Sequence, residues 1–264
     1  MKPTLLATLV PLAFAAAPAL AADPWDAPFN IQVGAFRASA NTSMRLDSDL
    51  GRGGTEVSLE SDLGVSKDKT LPTFDFTWRI NPRHAIEASW IQVKRDGTRQ
   101  ITGSINWGEV SFPVNATVDS SFDSSTIRGA YRWSPVHENG NELALLFGLH
   151  YTDLKARLSN ALGSVEQEAS VKFPLPTIGA RGAWKFADHW RLNAMGQFLK
   201  LKINDYDGGF YQAAGAVEWA FLPQAYAGLG YNYYKYELTS TKEHTRGEFN
   251  YRFDGPSLYL TWAF

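Results

Sequence analysis

Pro174-Leu175-Pro176-Thr177-Ile178-Gly179-Ala180-Arg181-Gly182-Ala183-Trp184-Lys185-Phe186 is the stretch on which the fold turns. Its even positions are Pro174, Pro176, Ile178, Ala180, Gly182, Trp184 and Phe186, while its odd positions include Thr177, Arg181 and Lys185. Successive side chains of a strand point to opposite faces, so one face here is apolar and the other carries two cations. A helix would scatter the same residues around its circumference. The pattern repeats in Phe74-Phe76-Trp78-Ile80 against Thr73-Asp75-Thr77-Arg79, and in Leu143-Leu145-Phe147-Leu149-Tyr151 against Glu142-Ala144-Leu146-Gly148-His150. It repeats again in Tyr211-Ala213-Gly215-Val217-Trp219-Phe221 against Gln212-Ala214-Ala216-Glu218-Ala220.

Extending outward from these anchors predicts ten strands, at 29–39, 71–80, 84–95, 122–133, 142–155, 174–186, 190–203, 209–221, 224–238 and 248–264. The connections alternate in length. Asn81-Pro82-Arg83, Ala187-Asp188-His189 and Leu222-Pro223-Gln224 are tight turns, and 134–141 is a slightly longer one. The segments 40–70, 96–121 and 156–173 are long, polar and rich in Gly, Ser and Asp. Short turns at one end and long loops at the other are the rhythm of a transmembrane β-barrel, with the short turns periplasmic. A chain with 9 Trp, 11 Tyr and 16 Phe but a mean hydropathy of only -0.25 fits that reading. Alternation sends one residue to lipid and the next to a polar interior. A soluble sandwich also alternates, and its charges would be solvated on the outer face; the aromatics at strand ends and the loop rhythm favour the barrel. The expected fold is an all-β, antiparallel, up-and-down transmembrane barrel of about ten strands, with eight and twelve as the bounding counts. Twelve would follow if Thr55-Glu56-Val57-Ser58-Leu59-Glu60 entered the membrane as a hairpin.

Met1-Lys2, the apolar run Leu5 to Leu20 and the small-x-small site Ala19-Leu20-Ala21 predict a signal peptide over 1–21, leaving 22–264 as the barrel domain. No later segment is apolar enough for a helical span. An exported chain with no Cys is built without disulfides. Lys+Arg of 25 against Asp+Glu of 27, with no basic block, gives no signature of nucleic-acid binding.

In the last predicted strand, Leu258, Leu260, Trp262 and Phe264 alternate on one face and end in an aromatic residue. This resembles the C-terminal signal that the insertion machinery reads in Gram-negative outer-membrane barrels. The turn Arg79-Ile80-Asn81-Pro82-Arg83-His84 resembles one frequent in small outer-membrane proteins. The resemblance to small barrels of the OmpA/OmpW-like or porin-like class covers the mature chain. It implies an outer-membrane location, contact with membrane lipid and lipopolysaccharide, and assembly by the insertion machinery.

Inward positions carry Arg79, Arg128, Arg132, Arg181, Lys185 and Arg191 against Asp75, Glu87, Glu142 and Glu218. Two arrangements suit them: a constricted pore with slight anion preference, or an ion-pair network filling the lumen. The network is favoured, because buried charges require pairing. His84, His137 and His189 fall in or beside turns and are expected to be solvated. His150-x-Thr152 resembles the His-x-Ser of lipid A deacylases with Thr in place of Ser, and it faces the lumen rather than lipid. Asp205 and Asp207 in one outer loop and His244 in another superficially resemble an omptin protease, but no Asp lies two residues before His244. Asp205-Tyr206-Asp207-Gly208 reads as a solvated turn. No metal-ligand or cofactor motif is present, and the acidic residues from Asp47 to Asp68 are diffuse. Ile101, Ile105, Trp107, Val110 and Phe112 in the second loop are expected to pack together, with closure of the barrel mouth or partner binding as alternatives. The expected function is that of a non-enzymatic barrel, either a small passive pore for an unidentified solute or a structural and surface-interaction protein. The alternative is an outer-membrane hydrolase acting at the rim.

Overall fold

The computed structural model describes residues 23–264 except 52, 161–165 and 244–245. The expected signal peptide and its cleavage site lie outside the described residues. The strands are β1 (Phe29–Leu46), β2 (Val57–Ser58), β3 (Asp68–Asn81), β4 (His84–Gln100), β5 (Ile105–Trp107), β6 (Val110–Phe112) and β7 (Thr117–Glu138). They continue with β8 (Asn141–Asn160), β9 (Glu166–Ala187), β10 (Trp190–Ile203), β11 (Tyr206–Leu222), β12 (Ala225–Ser240) and β13 (Gly247–Ala263).

Ten of these, β1, β3, β4 and β7 to β13, form the antiparallel wall, and β13 pairs back onto β1 to close it. The closing register runs from Asn30↔Ala263 to Leu46↔Gly247. Beyond it, Phe29 and Phe264 exchange two backbone hydrogen bonds of 2.9 Å. Closure leaves no free end-strand edge in a solvent that offers no hydrogen bonds.

The wall strands are longer than the apolar alternation predicts. In β7 the outward residues change from Asp119, Ser121, Asp123 and Ser125 to Ile127, Tyr131 and Trp133. A bilayer needs only about 9–11 residues per strand, so the upper parts stand above it with both faces polar or mixed. There the two-fold signal vanishes from the sequence while the backbone ladder continues.

Two turns are corrected. The expected loop 134–141 is mostly strand. The hairpin is the two residues Asn139 (φ 51°) and Gly140 (φ 77°), whose positive φ values match a primed turn and the twist of the flanking strands. Pro135 is absorbed where the β7–β8 register shifts between Trp133 and Val136. On the other side of the barrel, the turn before β11 is Asn204-Asp205, with Asn204 at φ 49°, and Tyr206-Asp207-Gly208 already belongs to the strand.

The first loop makes no transmembrane hairpin. Among its described residues only Val57 and Ser58 pair, with Met44 and Ser43 of β1. Since β3 begins at Asp68, a gap remains between the tops of β1 and β4, and residues 57–67 fill it. Leu59 N–H donates to Thr42 O, Ser66 N–H to Asp96 O, and Ala40 N–H to Lys67 O. This turns Val57, Leu59, Leu63 and Val65 inward, where they are buried. The second loop forms the β5–β6 hairpin, and Gly108 N–H donates to Leu46 O. Ile101, Ile105, Trp107 and Phe112 join the same buried cluster as the first loop. The two loops therefore pack on each other across the extracellular mouth.

The candidate functional site is a filled lumen

Of the ten charged residues assigned inward, eight line a central cavity, Glu218 pairs with Arg191 there, and Lys185 lies beside Trp25. Glu87 and Glu142 anchor the largest group. Arg128 Nη2 lies 2.8 Å from Glu87 Oε2, and Arg132 Nη1 lies 3.1 Å from Glu87 Oε1 and 3.4 Å from Glu142 Oε2. Arg181 reaches both carboxylates, at 3.6 and 3.8 Å. Arg79 adds a contact of 3.4 Å to Glu142, which also accepts the Ser134 hydroxyl at 2.6 Å. Beside this group, Glu218 binds Arg191 Nε at 2.7 Å, Tyr259 OH at 2.7 Å and Asn193 Nδ2 at 3.2 Å. Asp75 stands apart and accepts Gln32 Nε2 at 3.1 Å. The partners come from β3, β4, β7, β8, β9, β10, β11 and β13; Arg191–Glu218 and Arg132–Glu142 join consecutive strands, while Arg79–Glu142, Arg181–Glu87 and Tyr259–Glu218 join strands that are not adjacent in the wall. Removing one partner would leave a buried charge exposed to low dielectric, which is why such a network must be nearly complete to persist.

Two acids that the sequence reading missed complete the floor. The segment before β1 forms a single 3-10 turn, Pro24–Asp26, across the periplasmic mouth. Asp23 Oδ2 binds Lys185 Nζ at 2.5 Å and Asp26 Oδ1 lies 3.0 Å from His137 Nε2. Trp25 is buried, with the guanidinium of Arg191 5.0 Å and the ammonium of Lys185 5.7 Å from its ring. Its ring centroid is 5.9 Å from that of Tyr226. The expectation that His137 is a solvated turn residue is corrected: its side chain is 7% exposed and holds the segment in place. His84 also has a partner, with Nδ1 2.5 Å from Tyr131 OH. The excess of cations over anions inferred for the lumen is offset by Asp23 and Asp26, which removes the basis for an anion-preferring interior.

A cavity of about 180 Å³ runs through the network, lined by Trp25, Glu87 and Arg181 as well as by Gln32, Asp75 and Tyr234. At about 30 Å³ per water it has room for a few waters. An aromatic layer covers it. Tyr234 stacks on Phe253 at 4.6 Å, Phe253 contacts Tyr251 at 4.8 Å, and Tyr251 meets Phe122 edge-on at 4.9 Å. Arg95, absent from the sequence-derived set, fastens the first loop to this layer. Its guanidinium binds Glu60 Oε1 at 2.5 Å and Thr42 Oγ1 at 2.6 Å, and lies 5.2 Å from the centre of the Phe122 ring.

His150 is buried, and its ring lies 4.6 Å from that of Phe210. Thr152 Oγ1 is shared with Thr126 Oγ1 at 3.1 Å. Asp205 and Asp207 are exposed at the rim, and His244 lies outside the described residues. Among the acids of the first loop, Asp47 pairs with Arg45 and accepts Gly54 N–H, and Asp62 accepts Ser58 N–H. No cluster suited to a metal occurs among the described residues.

The outer face completes the picture. Leu258, Leu260, Trp262 and Phe264 all point outward and are exposed, in one belt with Trp78, Trp90, Trp133, Leu149, Trp184 and Trp219. A ring of exposed aromatic and aliphatic residues around a polar, internally paired core inverts the burial pattern of a soluble sandwich. It defines an outer-membrane β-barrel of the Gram-negative type. No protein-family model and no curated protein matches the chain. Among solved structures, the outer-membrane protease OmpT of Escherichia coli aligns over 89% of this chain and 96% of that one, with TM-score 0.61 and 12% identity. Ail of Yersinia pestis, bound to the heparin analogue sucrose octasulfate, aligns over 88% and 97% with TM-score 0.39 and 10% identity. Neisserial surface protein A aligns over 90% and 97% with TM-score 0.35 and 14% identity. At these identities the likeness to OmpT is one of fold.

Proposed function

We propose that this chain is a non-enzymatic, non-conducting barrel that works as a structural and surface-interaction protein of the outer membrane. One observation carries this reading: side chains that pair with one another cross the lumen at its floor, its middle and its mouth, and the space left between them is a cavity of about 180 Å³. The Pro24–Asp26 turn covers the periplasmic end, the Glu87–Glu142 network crosses the middle, and the two long loops cover the extracellular end. Ion passage would require separating pairs at 2.7–3.1 Å in a low-dielectric interior. A barrel so cross-linked spends its charges on rigidity, and the surfaces open to a partner lie on the loops and upper strands outside the membrane.

Planar-bilayer recording of the purified protein, with a known porin as positive control, tests this. The expected trace has no discrete openings. Reproducible conductance steps that persist in independent preparations would overturn the proposal in favour of the pore.

A further inference from the structure

The wall has a split seam. β9 pairs with β10 from Ala187↔Trp190 up to Ile178↔Phe198 and no further. Both strands continue beyond that point. β9 stays paired with β8 as far as Glu166↔Ser159, and β10 with β11 as far as Ile203↔Tyr206. Among the described residues, 166–177 and 199–203 therefore face each other without a ladder.

The register at which two prolines meet β10 explains why. Lys185 N–H turns toward β8, donating to the side-chain Oδ1 of Asn141 at 2.9 Å, and the β8–β9 register runs without a shift. Alternate amides of a strand point to opposite neighbours, so the odd amides of β9 face β8 and the even ones face β10. Pro174 and Pro176 stand at even positions immediately past the last pair, where an N–H toward β10 is needed and proline has none.

The stretch without a ladder begins within the outward apolar belt, and its inward side chains are apolar. The β8 partners of Pro176 and Pro174 are Leu149 and Tyr151, both exposed members of the outward belt. The next outward pair is Asp153–Lys172, so the split begins inside the belt and rises to its extracellular edge. Inward residues elsewhere at this height, such as Leu154 and Phe122, are buried. Along the seam Val171, Phe173, Leu175 and Leu199 are only half-buried, and Leu201 is 39% exposed. Lysines stand on both lips. Lys172 pairs with Asp153 on one side, and Lys202 lies at 4.0 Å from Asp207 on the other. Lys200 is exposed, and among the described residues no carboxylate lies within ion-pair distance of it.

We infer that the β9–β10 seam is a lateral binding site for a phosphorylated glycolipid of the outer leaflet, of the lipid A type. One acyl chain enters between Phe173, Leu175, Leu199 and Leu201, and a phosphate meets Lys200 and Lys202. Apolar lining within the belt selects the chain, and cations at the interface select an anionic headgroup.

The chain has no Cys, so Leu175→Cys and Leu201→Cys can each carry a single nitroxide, with Ser257→Cys on the opposite wall as the reference. The variants are placed in phosphatidylcholine vesicles containing lipid A, and collision with oxygen, which concentrates among acyl chains, is read by electron paramagnetic resonance. Both seam labels are expected to be several-fold more accessible to oxygen than the label at 257. Equal accessibility at the three sites would overturn the proposal. The excess should fall several-fold in phosphatidylcholine alone, and likewise with lipid A present when K200A/K202A is added. An excess unchanged in both conditions would rule out the phosphorylated occupant. P174T/P176T, which restores both donors, should also lower it by zipping the seam; an undiminished excess there would refute the role given to the prolines.

Discussion

Glu142 Oε1, on β8, lies 3.4 Å from Nη1 of Arg79, on β3, so two strands three places apart in the wall are joined across the barrel floor. Arg132 and Arg181 share the same carboxylate. Glu142→Gln removes the charge but little volume, leaving three guanidiniums to compete for Glu87. Loss of one member of a buried ion group costs about 3–5 kcal/mol. Urea unfolding in lipid vesicles should show a destabilisation of that size. A change below about 1 kcal/mol, the range of exposed pairs, would mean that the floor is solvated.

Arg95 is the fastening of the first loop. Arg95→Lys keeps the charge but loses the planar fork that reaches Glu60 and Thr42 together. The loss of one charge-assisted hydrogen bond, about 1.5–3 kcal/mol, raises the open fraction of the loop by roughly tenfold or more. Trypsin cleavage at Lys67 or Lys69, scored by mass spectrometry of the folded protein, should rise accordingly. An unchanged rate would show that the buried Leu59 and Leu63 hold the loop unaided.

The Pro24–Asp26 turn should detach in acid. Burial pushes the Asp26 carboxyl up, but the hydrogen bond and charge of His137, together with the Gly140 amide and Arg79, outweigh it and hold the group below its ordinary 3.8. A carboxyl whose folded value is depressed stabilises the folded state above its unfolded value, and that stabilisation is lost as pH falls through the folded one. Hydrogen exchange over residues 23–28, corrected for the intrinsic pH effect, should accelerate below 3.8 and not on modest acidification above it. Asp26→Asn should exchange fast at every pH. If it exchanges as slowly as the parent, the aspartate is not what holds the turn.

Phe264 should matter for assembly more than for final stability. Its backbone hydrogen bonds to Phe29 survive any side-chain change, and its ring lies 6.0 Å from that of Phe29 at the lipid face. Phe264→Ala loses about 0.5–1.5 kcal/mol of ring contact. Its yield of heat-modifiable barrel in cells should fall far more than that loss predicts. Equal yields would remove the assignment of Leu258, Leu260, Trp262 and Phe264 as an insertion signal.

Period-2 alternation carried the strand count and the inward faces because lipid and lumen impose opposite demands on neighbouring residues. The spacing of Asp75, Arg79, Glu87 and Arg128 puts them on the inward face for that reason. Above the bilayer the demand lapses. Asp119 to Ser125 look like loop although they are strand, and the Asn139-Gly140 turn was obscured by the bulge at Pro135. Asp23 and Asp26 had no periodic context at all, so their role in balancing the lumen was invisible.

The amino-acid sequence by itself pointed to an antiparallel wall of about ten strands, within bounds of eight and twelve, with an apolar outside, a charged inside and short turns at one end, because these follow from local spacing. Only the tertiary structure decided what fills the wall and where it parts. Arg95 meeting Glu60, Trp25 lying beside Arg191, and β10 drawing away from Pro174 and Pro176 join or separate residues far apart in the chain. Contacts of that kind depend on how strands are brought round the barrel, and no local pattern encodes them.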